Sequence, residues 1–260
     1  MTAGAGGRWL ASLWRLVALL LIALLALQLY FLARVALMTV VDPQSTTFQR
    51  SEVARLVAEK HRVLWSQQWV AYAQISTHLK RAVIASEDAG FSEHSGVEWD
   101  ALEKAWERNQ RAETRAERIN QKAQKPTPAG KPAPRVEPKL VGASTITQQL
   151  AKNLFLGSER SLPRKAQEFV ITFMLEALLS KQRILEIYLN NVEWGEGVFG
   201  AEAAARYYFR VSAAQLAPSQ AARLAVMLPA PKRFEKRPDS AYVVGRAATV
   251  AARMGGVEAP

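Results

Sequence analysis

An apolar run near the N-terminus limits how this chain can fold. Leu16 to Ala33 spans about 18 residues and is interrupted only by Gln28. That length is close to the minimum for a helix that crosses a bilayer. Arg8 and Arg15 precede the run, and no acidic residue occurs before Asp42. This excess of positive charge predicts a cytoplasmic N-terminus and places the remainder on the far side of the membrane.

We therefore divide the chain into a cytoplasmic segment (1–15), a transmembrane signal anchor (16–41) and one globular domain (42–260). Aromatic residues stand where an interface would place them, at Trp9, Trp14, Tyr30 and Phe31. A cleaved signal peptide is the alternative. It is disfavoured because the run is long for a signal-peptide core and no clear small-residue cleavage site follows it.

Charge and cysteine content restrict the partners. The 260 residues carry 34 Lys and Arg against 23 Asp and Glu, for a net charge of +11, and such a balance calls for an anionic partner. Nucleic acid is excluded by the predicted topology, so anionic headgroups or a lipid pyrophosphate fit better. The chain has no cysteine, so no disulfide stabilises it.

Hydrophobic periodicity predicts a mainly α-helical domain. Apolar residues recur at three- and four-residue intervals from Ala166 to Leu189, which indicates core-facing helices. Further helices are predicted over Glu52–His61, Ala73–Ser86, Ala201–Phe209 and Pro218–Leu228. The segment 103–139 differs: its charged part up to Lys125 can be helical, whereas its Pro-rich part has too little apolar surface to order and is predicted to be mobile.

The first candidate for chemistry is Glu87, in the sequence EDAGFSEHSG. Its neighbours Asp88 and His94 can shift its protonation, and a base that works near neutral pH needs such a shift. The alternative is that the acidic pair only stabilises a helix end.

A second polar segment, GASTITQQLAKN, spans Gly142 to Asn153. Gly142 and Ser144 fit an N-terminal helix cap, where free N–H groups favour anions. Cations follow at Arg160, Arg164 and Lys165, just before a second carboxylate, Glu168. Together with Lys152, they suit a phosphate or pyrophosphate.

These two segments, with RKAQE at Arg164–Glu168 and KQRILEIYLN at Lys181–Asn190, resemble four ordered motifs of the peptidoglycan glycosyltransferases, glycosyltransferase family 51. The resemblance covers roughly Ile75 to Phe234. We find no S-x-x-K and K-T-G pair of a transpeptidase domain before the chain stops at Pro260, so the chain most resembles the monofunctional biosynthetic branch. Relative to that family, segment 103–139 looks like an insertion.

The resemblance implies a lysozyme-like, two-lobed helical domain. It implies polymerisation of lipid II into β-1,4-linked glycan strands with inversion and release of undecaprenyl pyrophosphate, for cell-wall biogenesis and cell shape. Glu87 would be the general base, and Glu168 the second important carboxylate. Because Glu168 follows Arg164 by four residues, an ion pair that orients Arg164 and Lys165 is favoured over acid catalysis.

Substrate contacts are implied for the other motif residues. Those of the first motif would shape the acceptor pocket, and those of the other motifs would bind sugar or phosphate oxygens. They are Asp88, Phe91, His94, Gly96, Ser144, Thr145, Gln148, Gln149, Lys152, Asn153, Arg160, Arg164 and Lys165. For Gln149 the alternative is a brace, and for His94 a structural role.

Partners and cofactors follow from the same resemblance. The substrates would be lipid II and the growing glycan on undecaprenyl pyrophosphate, at the bacterial inner membrane, with the single-pass chain's catalytic domain in the periplasm. Cell-wall synthesis or division proteins are further candidate partners. We expect no required cofactor and no dedicated metal site; a divalent cation, Mg²⁺ or Mn²⁺, accompanying the pyrophosphate is the alternative.

Two other functions are also compatible with the sequence. One is a membrane-anchored lytic transglycosylase or muramidase, although such enzymes favour Glu followed by Ser and have no need of the basic cluster. The other is a noncatalytic cell-wall scaffold, which would not require Glu87.

Overall fold

The structure is a computed structural model that describes residues 4–123, 135–157, 159 and 161–260. Within these ranges the chain is mainly α-helical, which confirms the predicted fold class. The helices are α1 (Gly4–Leu37), α2 (Thr47–Lys60), α3 (Thr77–Glu87), α4 (Trp99–Ala123), α5 (Ile146–Phe155), α6 (Leu162–Leu178), α7 (Lys181–Asn191), α8 (Ala201–Phe209), α9 (Pro218–Met227), α10 (Pro231–Phe234) and α11 (Ala241–Arg253).

Helix α1 contains the apolar run. Its stretch Ser12–Leu37 is long and apolar enough to cross a membrane, with a mean hydropathy of 2.7 and little of its surface buried. Its C-terminal part is not free, because Phe31 and Val35 are buried in the core of the domain. Gln28 and Gln167 of α6 also exchange amide hydrogen bonds of 2.8 and 2.9 Å. The helix therefore fits a single-pass anchor that packs directly on the domain.

The core explains why the later helices form where they do. Helix α3 packs against α9 and α11, and α5 packs against α6 and α7. The apolar stripe that begins at Ala166 is shared by α6 and α7, which separate at Leu179. Ser180 begins α7 as its N-cap, because its hydroxyl accepts the N–H of Arg183 at 3.2 Å. The predicted apolar positions of this stripe thus serve two helices.

A small three-stranded sheet adds a feature that helical periodicity did not indicate. Its strands are β1 (Ser66–Gln67), β2 (Glu193–Gly195) and β3 (Val198–Phe199). Strand β3 lies between the others, parallel to β1 and antiparallel to β2. Gly197, in the β2–β3 turn, has φ +74°, a conformation that favours glycine. The predicted turn-rich connection between Asn191 and Ala205 is therefore partly a hairpin.

The segment between the first two motifs is partly ordered. Helix α4 covers most of the stretch predicted to be helical up to Lys125, and residues 124–134, with most of the Pro-rich part, lie outside the described residues. Residues 135–141 then run back along α4. The amide of Asn109 exchanges two hydrogen bonds with the backbone of Val141, and Asn120 does the same with Val136, at 2.8 to 3.0 Å. We call α4 and residues 135–141 the arm.

Candidate active site

A cavity of about 610 Å³ lies where α3, the arm and α5 meet. The end of α3 contributes Glu87 and Asp88, Glu98 comes just before α4, the arm contributes Arg108, and α5 contributes Gln149 and Lys152. Ser144 and Thr145, at the start of α5, complete this part of the lining. The first two motifs therefore converge on one cavity, with Glu87 and Lys152 in its wall.

The carboxylate of Glu87 is held by a chain of hydrogen bonds. The amide of Gln149 donates from Nε2 to Glu87 Oε2 at 3.0 Å, and its Oε1 accepts the hydroxyl of Tyr188 at 3.0 Å. Tyr188 is 1% exposed, so its ring cannot turn away. The amide of Gln149 is thereby fixed with its N–H group towards Glu87. This geometry supports the brace considered for Gln149.

Burial raises the pKa of Glu87 above its ordinary value of 4.5, and the nearby charge of Asp88 raises it further. The hydrogen bond from Gln149 opposes this shift, because it stabilises the ionised form. The result is a carboxylate that is a stronger base than an exposed glutamate and is still partly reachable from the cavity. A general base needs both properties.

Asp88 ties the first motif to the second. It is 5% exposed, and its Oδ2 accepts the N–H of Ile146, the first residue of α5, at 2.9 Å. Its Oδ1 contacts His94 Nε2 at 2.8 Å, while His94 Nδ1 accepts the N–H of Gly96 at 3.1 Å. The proton of the ring therefore lies on Nε2 and is donated to Asp88. These contacts place Asp88, His94 and Gly96 in a support around Glu87.

Phe91 and Lys181 extend this support to the fourth motif. Phe91 is fully buried, and the ammonium of Lys181 lies 4.6 Å from the centre of its ring. Lys181 also donates to the carbonyl of His94 at 2.6 Å and to Glu176 at 2.9 Å. Lys181 of the KQRILEIYLN motif thus stabilises the loop of the first motif. Tyr188 of the same motif contacts Gln149 of the second motif.

The cap of α5 differs from the predicted one. Thr145, not Ser144, is the N-cap: its hydroxyl accepts the N–H of Gln148, and the side chain of Gln148 accepts the N–H of Thr145. A capping box needs a Glu or Gln three residues after the N-cap. Gln148 meets this requirement for Thr145, whereas Thr147 does not meet it for Ser144, so the helix begins one residue later than predicted. Gln148 is 3% exposed, and its amide belongs to the cap. A contact with substrate stays a prediction for Thr145 and Gln148. Ser144 remains exposed at the cavity.

The predicted cations gather around Glu168. Arg164 Nη1 lies 2.9 Å from Glu168 Oε2, which is the expected i,i+4 pair, and Lys165 pairs with the other oxygen. Burial lowers the pKa of Lys152; the charges of Arg164 and Lys165 lower it further, whereas Glu168 raises it. Lys152 is therefore close enough to feel the charges of this cluster. Arg160 lies outside the described residues, and Asn153 is half-buried on α5.

Glu168 is buried within this cluster and is not among the described residues that line the cavity. Its two ion pairs are those expected of an orienting residue, and the role itself stays a prediction. The Nε atom of Arg164 is buried and finds no acceptor in the ranges that the structure describes. A buried donor without an acceptor is costly, so this cluster has a donor to offer an anion.

One group of side chains has the spacing of a cation site. Asp88, His94 and Glu98 each bring a ligand atom within 4.8 Å of the others. However, His94 donates from one ring nitrogen and accepts at the other, so the ring has no lone pair left for a cation. The donor set therefore does not suit a resident metal unless His94 rearranges. The expectation for cofactors stays a prediction.

Sequence reasoning missed three residues of this site. The helical period predicts that Tyr188 is buried in the core, but it does not predict the direction of its hydroxyl. Glu98 and Arg108 were missed because they precede the second motif in a segment without a recognisable pattern. The only indication in the sequence is that both residues lie between the first and second motifs, which must come together to form the site.

A helical domain with an apolar anchor helix, and with a glutamate and a lysine in the wall of one cavity, has the features of a membrane-associated glycosyl-transfer enzyme. The model of the transglycosylase family matches residues 54–118 and 135–255. The chain belongs to this family, which confirms the family predicted from the four motifs. The match leaves out residues 119–134, in the middle of the segment predicted as an insertion, and includes 103–118 and 135–139.

Curated relatives agree with this assignment. The chain is 48% identical over 254 residues to a "Biosynthetic peptidoglycan transglycosylase" of Paraburkholderia phytofirmans, covering 97% of this chain and 94% of the relative. A relative of the same name from Burkholderia thailandensis is 50% identical over 238 residues, covering 92% of this chain and 84% of the relative. The similarity extends over nearly the whole chain.

Proposed function

We propose that this protein is a peptidoglycan glycosyltransferase that polymerises lipid II into β-1,4-linked glycan strands. Membership of the transglycosylase family and the name shared by its relatives support this activity. The observation that carries the proposal is the position of Glu87, a partly buried base in the wall of the cavity that also holds Lys152.

In this mechanism Glu87 takes the proton from the 4-hydroxyl of the acceptor N-acetylglucosamine. The hydroxyl oxygen attacks the anomeric carbon of the donor from the face opposite the leaving group, so the configuration inverts. The bond from that carbon to the phosphate oxygen breaks, and undecaprenyl pyrophosphate leaves with the electron pair. Because pyrophosphate is a good leaving group, it needs countercharge and not a proton.

Lys152, Arg164 and Lys165 would supply that countercharge. Fixed cations act strongly on charge that develops in a site with little water. Glu168 would orient Arg164 and Lys165 through the two ion pairs. A divalent cation, if one takes part, would arrive with the pyrophosphate.

The proposed setting is the bacterial inner membrane. Helix α1 would cross it once, with the N-terminus in the cytoplasm because Arg8 and Arg15 precede the span. The domain would then lie in the periplasm beside the headgroups that carry both substrates. Other proteins of cell-wall synthesis or division are candidate partners of the same assembly.

The experiment compares the purified full-length protein with its Glu87→Gln variant on lipid II in detergent micelles. We expect polymer from the wild type and a loss of about a hundred- to ten-thousandfold in the variant, the usual range for a general base. The matched control is Glu93→Gln, because Glu93 is an exposed carboxylate of the same motif. Its variant should polymerise like the wild type.

Two results would contradict the proposal. The first is polymerisation by Glu87→Gln at the wild-type rate, with folding checked by circular dichroism. The second is a wild-type protein that leaves lipid II unchanged but releases soluble muropeptides from isolated sacculi, which would indicate a lytic enzyme.

A further inference from the structure

The arm brings an arginine into the cavity. Arg108 of α4 lines it together with Glu87 and Lys152. Its Nε donates to the carbonyl of Lys104 at 3.2 Å, which leaves four of the five N–H donors on its terminal amino groups. Arg108 forms no ion pair with a carboxylate in the part of the chain that the structure describes, whereas Arg111, on the same helix, pairs with Glu107. Arg108 is therefore available to a ligand.

The arm is built to hold this wall of the cavity in place. Asn109 and Asn120 are 11 residues apart on α4, a rise of about 16.5 Å, and their partners Val141 and Val136 are five residues apart on an extended segment, also about 16.5 Å. The hydrogen bonds of both asparagines can therefore form at the same time. Asn109 adjoins Arg108, and Val141 leads directly into Ser144 at the cavity.

Arg108 comes from a different element than the cations that would receive the leaving group. It lies on α4, whereas Lys152 lies on α5 and Arg164 and Lys165 lie on α6, and of these three only Lys152 is among the residues that line the cavity with Arg108. The proposed reaction holds two lipid-linked anions at once, a donor and an acceptor. One cationic cluster can neutralise the departing pyrophosphate, so a second contact is needed for the acceptor.

We propose that Arg108 is a positioning residue that binds an oxyanion of the acceptor substrate. This inference rests on the proposed function. The ligand is a phosphate or a carboxylate, since the guanidinium binds both in the same forked geometry. In lipid II these are the pyrophosphate and the carboxylates of the peptide stem. By holding one of them, Arg108 would keep the acceptor hydroxyl near Glu87.

The test measures elongation with full-length protein, a lipid-linked tetrasaccharide as donor and lipid II as acceptor, each varied separately. For Arg108→Ala we expect the KM for the acceptor to rise about tenfold, which is what the loss of one charge-assisted hydrogen bond gives. The kcat and the KM for the donor should stay within about twofold of the wild type. Arg108→Gln, which keeps most of the side-chain length, guards against a fold defect and should show the same rise.

The matched control is Arg115→Ala. Arg115 lies seven residues further along α4, on the same side of the helix, and lines a separate groove with Ile119 and Val136. Its kinetic constants should equal those of the wild type. A second acceptor without the peptide stem identifies the oxyanion: the defect of Arg108→Ala persists if the ligand is the pyrophosphate and disappears if it is a stem carboxylate.

The inference is overturned if wild-type protein elongates glycan and Arg108→Ala leaves the KM for the acceptor unchanged. It is equally overturned if the KM for the donor rises as much, or if Arg115→Ala reproduces the effect. A wild-type protein that does not elongate glycan would overturn the proposed function itself.

Discussion

Replacement of Glu193 by Gln should make the stability of this protein less dependent on pH. Glu193 begins β2 and is 6% exposed, and its Oε1 lies 3.7 Å from the ammonium of Lys232. Lys232 pairs more closely with Glu52, at 2.5 Å. Burial raises the pKa of Glu193 to about 7, and the charges of Glu52 and Glu235 add to the shift against the effect of Lys232.

The sign and size follow from proton linkage. In the folded protein Glu193 keeps its proton up to a pH of about 7, whereas in the unfolded chain it ionises near 4.5. Stability therefore falls as the pH rises through this window, because the unfolded state releases the proton first. At about 1.36 kcal/mol per pKa unit, the full change is about 3 kcal/mol. Below a pH of about 4.5 this cost is absent.

The assay is urea unfolding of the full-length protein in detergent at several pH values from 5 to 8, followed by tryptophan fluorescence. Trp194 adjoins Glu193 and is fully buried, so unfolding changes its environment and it contributes to the signal. The new amide also changes the free energy of unfolding by an amount that does not depend on pH. The informative quantity is therefore how the difference in unfolding free energy between the variant and the wild type changes with pH. We expect Glu193→Gln to gain stability relative to the wild type by about 2.5 kcal/mol between pH 5 and pH 8, which covers most of the full change.

Glu113→Gln, at an exposed position on α4, serves as the control and should show no such trend. The reasoning fails if the difference between Glu193→Gln and the wild type is the same at every pH. It also fails if the variant loses stability, relative to the wild type, as the pH rises.

Two further predictions concern the support of the active site. Gly96→Ala should lower the free energy of unfolding by about 2 kcal/mol or more, because Gly96 has φ +84° and an added Cβ would lie 2.7 Å from Thr172 Cγ2. Urea unfolding checks this against Gly245→Ala, whose Cβ would meet nothing within 4 Å; an equal effect of both changes would contradict it. Gln149→Leu should move the acid limb of the kcat/KM profile for lipid II to higher pH, because the lost hydrogen bond no longer lowers the pKa of Glu87. An acid limb that does not move would show that Gln149 has no influence on the base.

The sequence predicted those parts of this molecule that depend on local spacing. Helix α8 has the predicted bounds, because its apolar face and the residues around it suffice to define it. The pair of Arg164 and Glu168 followed from the pitch of a helix. The meeting of Glu87 with Lys152 followed from the family resemblance, since 65 residues separate them and no local rule joins them.

What the sequence did not predict depends on contacts between distant residues. Strand β1 pairs with β3 across more than 130 residues, and no turn signal announces such a pairing. The amides of Asn109 and Asn120 form hydrogen bonds with Val141 and Val136, although the composition of the segment before the second motif predicts a linker. The hydroxyl of Tyr188 has a partner only because α5 and α7 pack side by side.

The amide pair between Gln28 and Gln167 has a mechanical consequence. Gln28 lies nine residues before the end of α1 at Leu37, about 13.5 Å along the helix axis. Because the domain contacts α1 this far from the end of the helix, it cannot rotate freely about the connection that follows Leu37. Any bilayer that α1 enters would then fix the height and the rotation of the cavity, so that a lipid-borne sugar diffusing in the plane meets it in one orientation.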